Sequence, residues 1–171
     1  KMAERVERLA QVDEAAGNLL SAGRKYLRVG LYFQLAERMP SHKDPRRLVA
    51  YKKGIAAYEK GLRFRKEPIE YVQVPYEGTY LPAIFMKAPG SEKTPCMVHF
   101  NGLDLTKEIV YSAIADELKR RGISALIVDH PGIGAALRLQ NLTSGPDTER
   151  SASACVDYLE TRSDVDPNRI G

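Results

Sequence analysis

Two hydrophobic periods divide this chain. Through residues 1–66 apolar positions recur at helical spacing, and after Pro68 they alternate or run continuously as in strands. Val6, Leu9, Ala10, Ala16, Leu19 and Leu20 approximate one helical face. A second segment, about Arg24 to Met39, carries Tyr26, Leu27, Val29, Leu31, Tyr32, Phe33 and Leu35 most of the way round. That distribution predicts a helix buried on several sides or lining a cavity. Pro40 breaks it. Asp44 is placed to cap the next helix, with Pro45 in its first position. There Leu48, Tyr51, Ile55, Tyr58 and Leu62 form the cleanest amphipathic stripe of the chain. The stripe lasts only two heptads, so it predicts a core face rather than a coiled coil.

From Ile69 the alternation Ile69–Tyr76, the turn Glu77-Gly78 and the return Tyr80–Lys87 predict a β-hairpin. Pro75 and Pro82 confine it toward a sheet edge or bulges. Ala88–Thr94 reads as a polar loop. Cys96–Phe100 and Ala125–Val128 are nearly all apolar, the signature of parallel strands covered on both faces. Between them Thr106–Arg121 predicts a helix, capped by Thr106 and ended by Gly122, with Val110, Ala113, Ile114 and Leu118 toward the sheet. A further helix, about Asp147 to Thr161, turns Ala152, Cys155, Val156 and Leu159 inward, and Asp164–Gly171 leads into a third parallel strand. The pattern is α/β: a mostly parallel sheet with an antiparallel edge hairpin, preceded by a helical lid or cap. The expected division is residues 1–66 and 67–171.

Composition narrows the class. The chain has 171 residues, 43% of them hydrophobic and 28% charged, ordinary values for a globular protein. No apolar run approaches the roughly 20 residues of a membrane helix. The charged, periodic N-terminus is not a signal peptide. Two cysteines make no disulfide framework, and the default setting is a reducing cytoplasm. Residues 1–66 hold 16 Lys/Arg and 7 Asp/Glu, net +9. Residues 67–171 hold 10 and 15, net −5. No nucleic-acid motif accompanies the basic half, so it reads as a solvated helical surface beside an acidic partner domain.

Candidate chemistry lies at the carboxyl ends of the parallel strands, where open α/β sheets form their working crevice. One such end is Asn101-Gly-Leu-Asp104, just before a helix. Gly102 lets the backbone turn, and the amide of Leu103 is then available to an oxyanion. A plain steric turn is the other reading. The second end is Asp129-His-Pro-Gly-Ile-Gly134. As a dinucleotide fingerprint it fails, since the third glycine would fall on Leu137. It reads instead as a loop that shapes the crevice. His99 and His130 precede any nucleophile in chain order and are read as structural rather than as a base.

The order of these motifs resembles the α/β-hydrolase fold. Asp129–Gly134 is similar to the family's Asp-x-x-Gly-x-Gly loop, and Asp166–Gly171 to the approach to its Gly-x-Ser-x-Gly elbow. Asn101-Gly-Leu-Asp-Leu-Thr-Lys-Glu108 is similar to the Gly-Gly-Leu-(Asp/Glu)-Ser-Thr-Lys-Glu motif of the 2,6-dihydropseudooxynicotine hydrolase group, which includes fungal polyketide-shortening hydrolases and proteins like the fermentation–respiration switch esterase. Ser21–Arg28, Tyr32-Phe33, Asp44-Pro-Arg46 and Val74–Thr79 fit the same group. The chain departs from it at Asn101, where relatives often have Gly or His.

The resemblance implies a serine-type hydrolase of an ester, an amide or an activated C–C bond, working through an acyl-enzyme without metal or organic cofactor. Its substrate is a small carbonyl compound. The oxyanion would be held by backbone amides at Leu103 and Gly102. Asp104, Tyr26, Tyr32 and Phe33 are pocket candidates, and helix packing is the plainer role for the aromatics. No Gly-x-Ser-x-Gly occurs in residues 1–171, so Ser, Asp/Glu and His are expected after Gly171, in a missing C-terminal part. A homodimer is a further expected partner; nucleic acid and membrane are not. The competing class is a scaffold or binding protein that kept the fold without the triad.

Overall fold

The computed structural model describes residues 1–90 and 92–171. Position 91, within the polar loop expected over Ala88–Thr94, lies outside the described residues. The chain divides into two compact units, Lys1–Glu67 and Pro68–Gly171.

The first unit is three helices: α1 (Met2–Ala15), α2 (Leu19–Glu37) and α3 (Arg46–Phe64). Gly17, at φ +76°, breaks the chain between α1 and α2. The face expected from Val6 to Leu20 is therefore not continuous. Ala3 and Ala10 are buried, while Leu9, Leu19 and Leu20 are exposed. The α3 stripe holds for Tyr51, Tyr58 and Leu62 but not for Leu48. Helices α2 and α3 approach closely through paired glycines. A Cβ on Gly30 would lie 2.9 Å from the Gly54 carbonyl, and one on Gly61 2.9 Å from the Gly23 carbonyl. Asp44 acts at the start of α3, where its carboxylate accepts the Arg46 amide at 2.8 Å. The helix begins one residue later than expected.

The second unit is a five-stranded sheet in the order β1-β2-β4-β3-β5. Its strands are β1 (Ile69–Tyr76), β2 (Thr79–Met86), β3 (Thr94–Phe100), β4 (Ser124–Val128) and β5 (Val165–Ile170). The hairpin β1–β2 is antiparallel and joins β4 antiparallel; β4–β3 and β3–β5 are parallel. The expected α/β architecture is present: a parallel portion of the sheet with the antiparallel hairpin at one edge. Pro82 is not at that edge, because β2 lies between β1 and β4. It sits just past the last β2–β4 pair, Ala83 with Val128, where its carbonyl still accepts the Asp129 amide at 2.9 Å.

Three helices flank the strands: α4 (Lys107–Arg120), α5 (Gly134–Gln140) and α6 (Glu149–Glu160). Val110, Tyr111, Ala115 and Leu118 are the buried apolar residues of α4, so its inward face is turned slightly from the expected one. Val156 of α6 is partly exposed, while Cys155 and Leu159 are enclosed. The core joins Val74, Leu81, Phe85, Leu126 and Val128 to Cys96, Cys155, Leu159 and Val165. All five residues of β4 are buried, as its apolar run requires. Arg162 packs its guanidinium 3.7 Å from the centre of the Phe85 ring and bonds Glu70, Tyr158 and Asp164, tying β1, α6 and the start of β5 together.

Candidate active site

Strands β3 and β4 are parallel neighbours, with Phe100 paired to Val128. The segments Asn101–Thr106 and Asp129–Ile133 therefore leave the sheet side by side at its carboxyl edge. Both lead directly into helices. The N-termini of α4 and α5 consequently converge on one place, and that place holds Asp129.

The Asp129 carboxylate is fully buried. Its Oδ1 accepts the Asn101 side-chain amide at 3.1 Å and the Lys107 backbone amide at 2.9 Å. Its Oδ2 accepts Lys107 Nζ at 3.0 Å and the Ala135 backbone amide at 2.8 Å. One carboxylate thus caps α4 and α5 together, where amide dipoles and unpaired N–H groups favour an anion. Thr106 occupies the N-cap position of α4, as expected, but makes no side-chain capping bond. Asp129 bonds the amide of Lys107, the first residue of the helix.

Lys107 is also enclosed, with its ammonium 2.7 Å from Glu108 and 3.0 Å from Asp129. Burial alone would lower its pKa. The two carboxylates outweigh that effect and raise it, so the ammonium stays charged. The cluster is two buried acids around one buried base, with the backbone and side-chain amides donating to Asp129 and Lys107 paired with both acids.

Glycine is required here for two reasons at once. Gly134 has φ +46°, and a Cβ there would fall 2.1 Å from the Asp129 Cγ. Gly132 has φ +95°, and its amide donates to the Leu142 carbonyl at 2.8 Å. A Cβ on Gly132 would meet Ser144 Oγ at 1.9 Å. The Gly-Ile-Gly sequence thus lets the loop fold over the carboxylate.

The turn Asn101–Leu105 is pinned from both sides. Asn101 is buried and donates from Nδ2 to the Val128 carbonyl at 3.1 Å as well as to Asp129. The Leu105 amide closes the turn on the Gly102 carbonyl at 3.0 Å. Gly102, Leu103 and Asp104 lie on the exposed rim of the turn, with Leu103 79% exposed. The ring of His130 reaches back to the same turn, with Nε2 3.0 Å from the Asn101 carbonyl.

The sequence candidates therefore fall in two places. Gly102, Leu103 and Asp104 sit together in the strand-end turn. Tyr26, Tyr32 and Phe33 belong to α2 in the helical unit. Tyr26 is buried in the three-helix core, its hydroxyl donating to Glu14 at 2.6 Å and Lys60 donating to it at 3.1 Å. Phe33 packs against that same core, and Tyr32 is half-buried. His99 lies within β3. Sequence reasoning did not single out Asn101, Lys107, Glu108 or Asp129 as one cluster. The only local signal was a polar residue immediately after each apolar strand.

No helix among the described residues is long and apolar enough to cross a membrane, and no group of potential metal ligands is found among them. A cavity of about 200 Å³ opens beside the site, between Tyr76, Glu77, His130, Ser144 and Arg150.

No protein-family model matches the chain. It is 31% identical over 166 residues to the α/β hydrolase psoB of Aspergillus fumigatus, a match covering 91% of this chain and 37% of that protein. It is 28% identical over 174 residues to the α/β hydrolase pydG of an Acremonium species, covering 98% and 40%. The 20-hydroxy-prefusarin hydrolase FUS2 of Gibberella moniliformis is 30% identical over 166 residues, covering 92% and 39%. Among solved structures, a 2,6-dihydroxy-pseudo-oxynicotine hydrolase superposes with a TM-score of 0.83 at 25% identity, covering 99% of this chain and 47% of that one. The chain spans less than half the length of each of these proteins.

Proposed function

We propose, from the premise that this chain has the α/β-hydrolase fold and resembles α/β hydrolases along nearly all of its length, that it forms the oxyanion-binding side of a hydrolase acting on a small carbonyl compound. The observation that carries the reading is the Asp129 carboxylate, which locks the two strand-end turns to each other and to the starts of α4 and α5. A hydrolase needs amide donors held fixed before charge develops, since a rigid donor stabilises an oxyanion without reorganising during the reaction. The rim of Asn101–Leu105 offers such amides at Leu103 and Gly102.

In this reading a serine attacks the substrate carbonyl and a histidine takes its proton. The carbonyl oxygen, now an anion, is held by the Leu103 amide together with a second amide beside the serine. Collapse of the tetrahedral adduct breaks the bond to the leaving group, which takes the proton back from the histidine and departs as an alcohol, an amine or a protonated carbon acid, leaving an acyl-enzyme that water hydrolyses. No residue of 1–171 is assigned as nucleophile, base or acid. This chain contributes electrostatic stabilisation and the geometry of the crevice. The names of FUS2 and the pseudo-oxynicotine hydrolase support a small organic substrate and carry the choice of leaving group no further.

The test uses the complete gene product, a fluorophosphonate serine probe and a panel of activated esters and β-diketones. The reading expects covalent labelling and turnover of at least one panel member. Leu103→Pro, which removes the amide, should lower kcat by roughly 10²–10³, while Leu103→Ala leaves it near the parent value. No labelling and no turnover would favour the scaffold reading. Turnover that survives Leu103→Pro would remove the amide from the mechanism.

A further inference from the structure

His130 has no part in the scheme so far, yet it stands between its two halves. The residue follows Asp129 directly, so its backbone is anchored beside a buried carboxylate that accepts four hydrogen bonds. Its ring reaches across to the neighbouring strand end. Nε2 lies 3.0 Å from the carbonyl oxygen of Asn101, and Nδ1 2.9 Å from that of Pro131. A carbonyl oxygen only accepts, so the contact to Asn101 is a hydrogen bond when Nε2 carries the hydrogen, and a neutral ring so protonated donates to Asn101 and not to Pro131. The Phe100 ring meets the imidazole edge to face, with centroids 5.8 Å apart. The Pro131 carbonyl is itself bonded by Ser144 Oγ at 2.8 Å. The ring thus has a carbonyl oxygen beside each nitrogen and the Phe100 ring packed against it.

What it holds is the first peptide of the candidate oxyanion turn. The Asn101 carbonyl belongs to the same peptide unit as the Gly102 amide, one link before the amide of Leu103. The Asn101 side chain and the Lys107 amide fix the two ends of this turn to Asp129. The Leu105 amide, bonded to the Gly102 carbonyl at 3.0 Å, holds the Gly102–Leu103 peptide, and none of these three bonds reaches the Asn101–Gly102 peptide. The bond from His130 does reach it, and rotating the Asn101–Gly102 peptide would swing its carbonyl off Nε2.

Resting on the hydrolase reading above, we propose that His130 is a positioning residue, whose Nε2–H sets the tilt of the Asn101–Gly102 peptide and thereby aims the oxyanion-binding amides. Its contribution falls on the transition state, since the oxyanion needs the amides more than the neutral carbonyl of bound substrate does. It is distinct from a base or nucleophile, because both ring nitrogens face protein carbonyls.

The experiment compares His130→Leu and His130→Gln with the parent complete protein. Glutamine can present an amide donor near the Nε2 position; leucine cannot. His130→Leu should lower kcat roughly tenfold with KM nearly unchanged, as expected for a small misplacement of a catalytic donor. His130→Gln should restore most of that loss. Two further readouts do not require activity. Hydrogen exchange at Gly102–Leu105 should quicken in the leucine variant and remain slow in β4. The ¹⁵N spectrum of the parent ring should show Nε2 protonated. Unchanged kcat in the leucine variant, failure of glutamine to rescue, or an unprotonated Nε2 would each overturn the proposal. If the parent hydrolyses nothing while the exchange effect appears, the positioning contact stands and the hydrolase reading fails.

Discussion

Replacing Gly134 by alanine tests the central feature of the site, the packing of a glycine against a buried carboxylate. Two costs add. At φ +46° an alanine pays about 1 kcal/mol for the left-handed backbone. The new Cβ would also sit 2.1 to 2.3 Å from the Cγ and both oxygens of Asp129, so the carboxylate must move. Hydrogen bonds to a charged group are worth about 1.5–3 kcal/mol each. Losing two of the four donors on Asp129 costs about 3–6 kcal/mol. The sum is comparable with the whole stability of a small domain, about 5–15 kcal/mol. The informative measurement is a double-mutant cycle with Asp129→Ala, which clears the space the new methyl group needs. In that background Gly134→Ala should cost only the backbone term, about 1 kcal/mol. The coupling is then about 3 kcal/mol or more in the stabilising direction. Hydrogen exchange of the β4 amides reads the global opening of residues 68–171 separately from the helical unit, with sucrose added to keep the weakest variant folded. Additivity of the two substitutions within about 0.5 kcal/mol would refute the reasoning.

Two further outcomes follow from buried and paired groups. Burial pushes the thiols of Cys96 and Cys155 up to about 12, and both side chains are enclosed in the sheet core. A thiol reagent near pH 8 should leave the native protein unmodified and label both cysteines once denaturant is added; rapid native labelling of either would contradict that packing. The Arg162 guanidinium bonded to Asp164 holds that carboxyl below its ordinary value. A depressed folded pKa stabilises the native state above the unfolded value of about 3.9 and ceases to do so as pH falls through the folded one. Stability should therefore drop below about pH 4, and Asp164→Asn should flatten that acid limb in urea titrations; an unchanged limb would remove Asp164 from the balance.

Much of the fold was legible because its signals are local. The stripe Tyr51–Tyr58–Leu62 and the apolar run of β4 each follow from which faces a helix or strand must bury. The motifs Asn101–Glu108 and Asp129–Gly134 could be placed at strand ends by counting along the chain. The departures have two causes. The face drawn across Gly17 failed on a local turn of the chain, whereas helix α5 and the side-chain bond expected of Thr106 depended on contacts with Asp129 and its surroundings. Helix α5 begins where Ala135 donates to Asp129, a bond spanning six residues and a reversal of the chain. Nothing in Ala135–Gln140 alone announces that start.

The sequence by itself determined the alternation of elements, the position of the hairpin and the two glycine-bearing turns, because periodicity and glycine are properties of the local chain. Only the tertiary structure decided that Asp129 receives the Lys107 amide, and that the His130 ring reaches the neighbouring turn. Those contacts arise because parallel pairing sets Phe100 against Val128, so that residues 28 and 29 positions apart leave the sheet together. Register, which no local pattern contains, turned two separate motifs into one site.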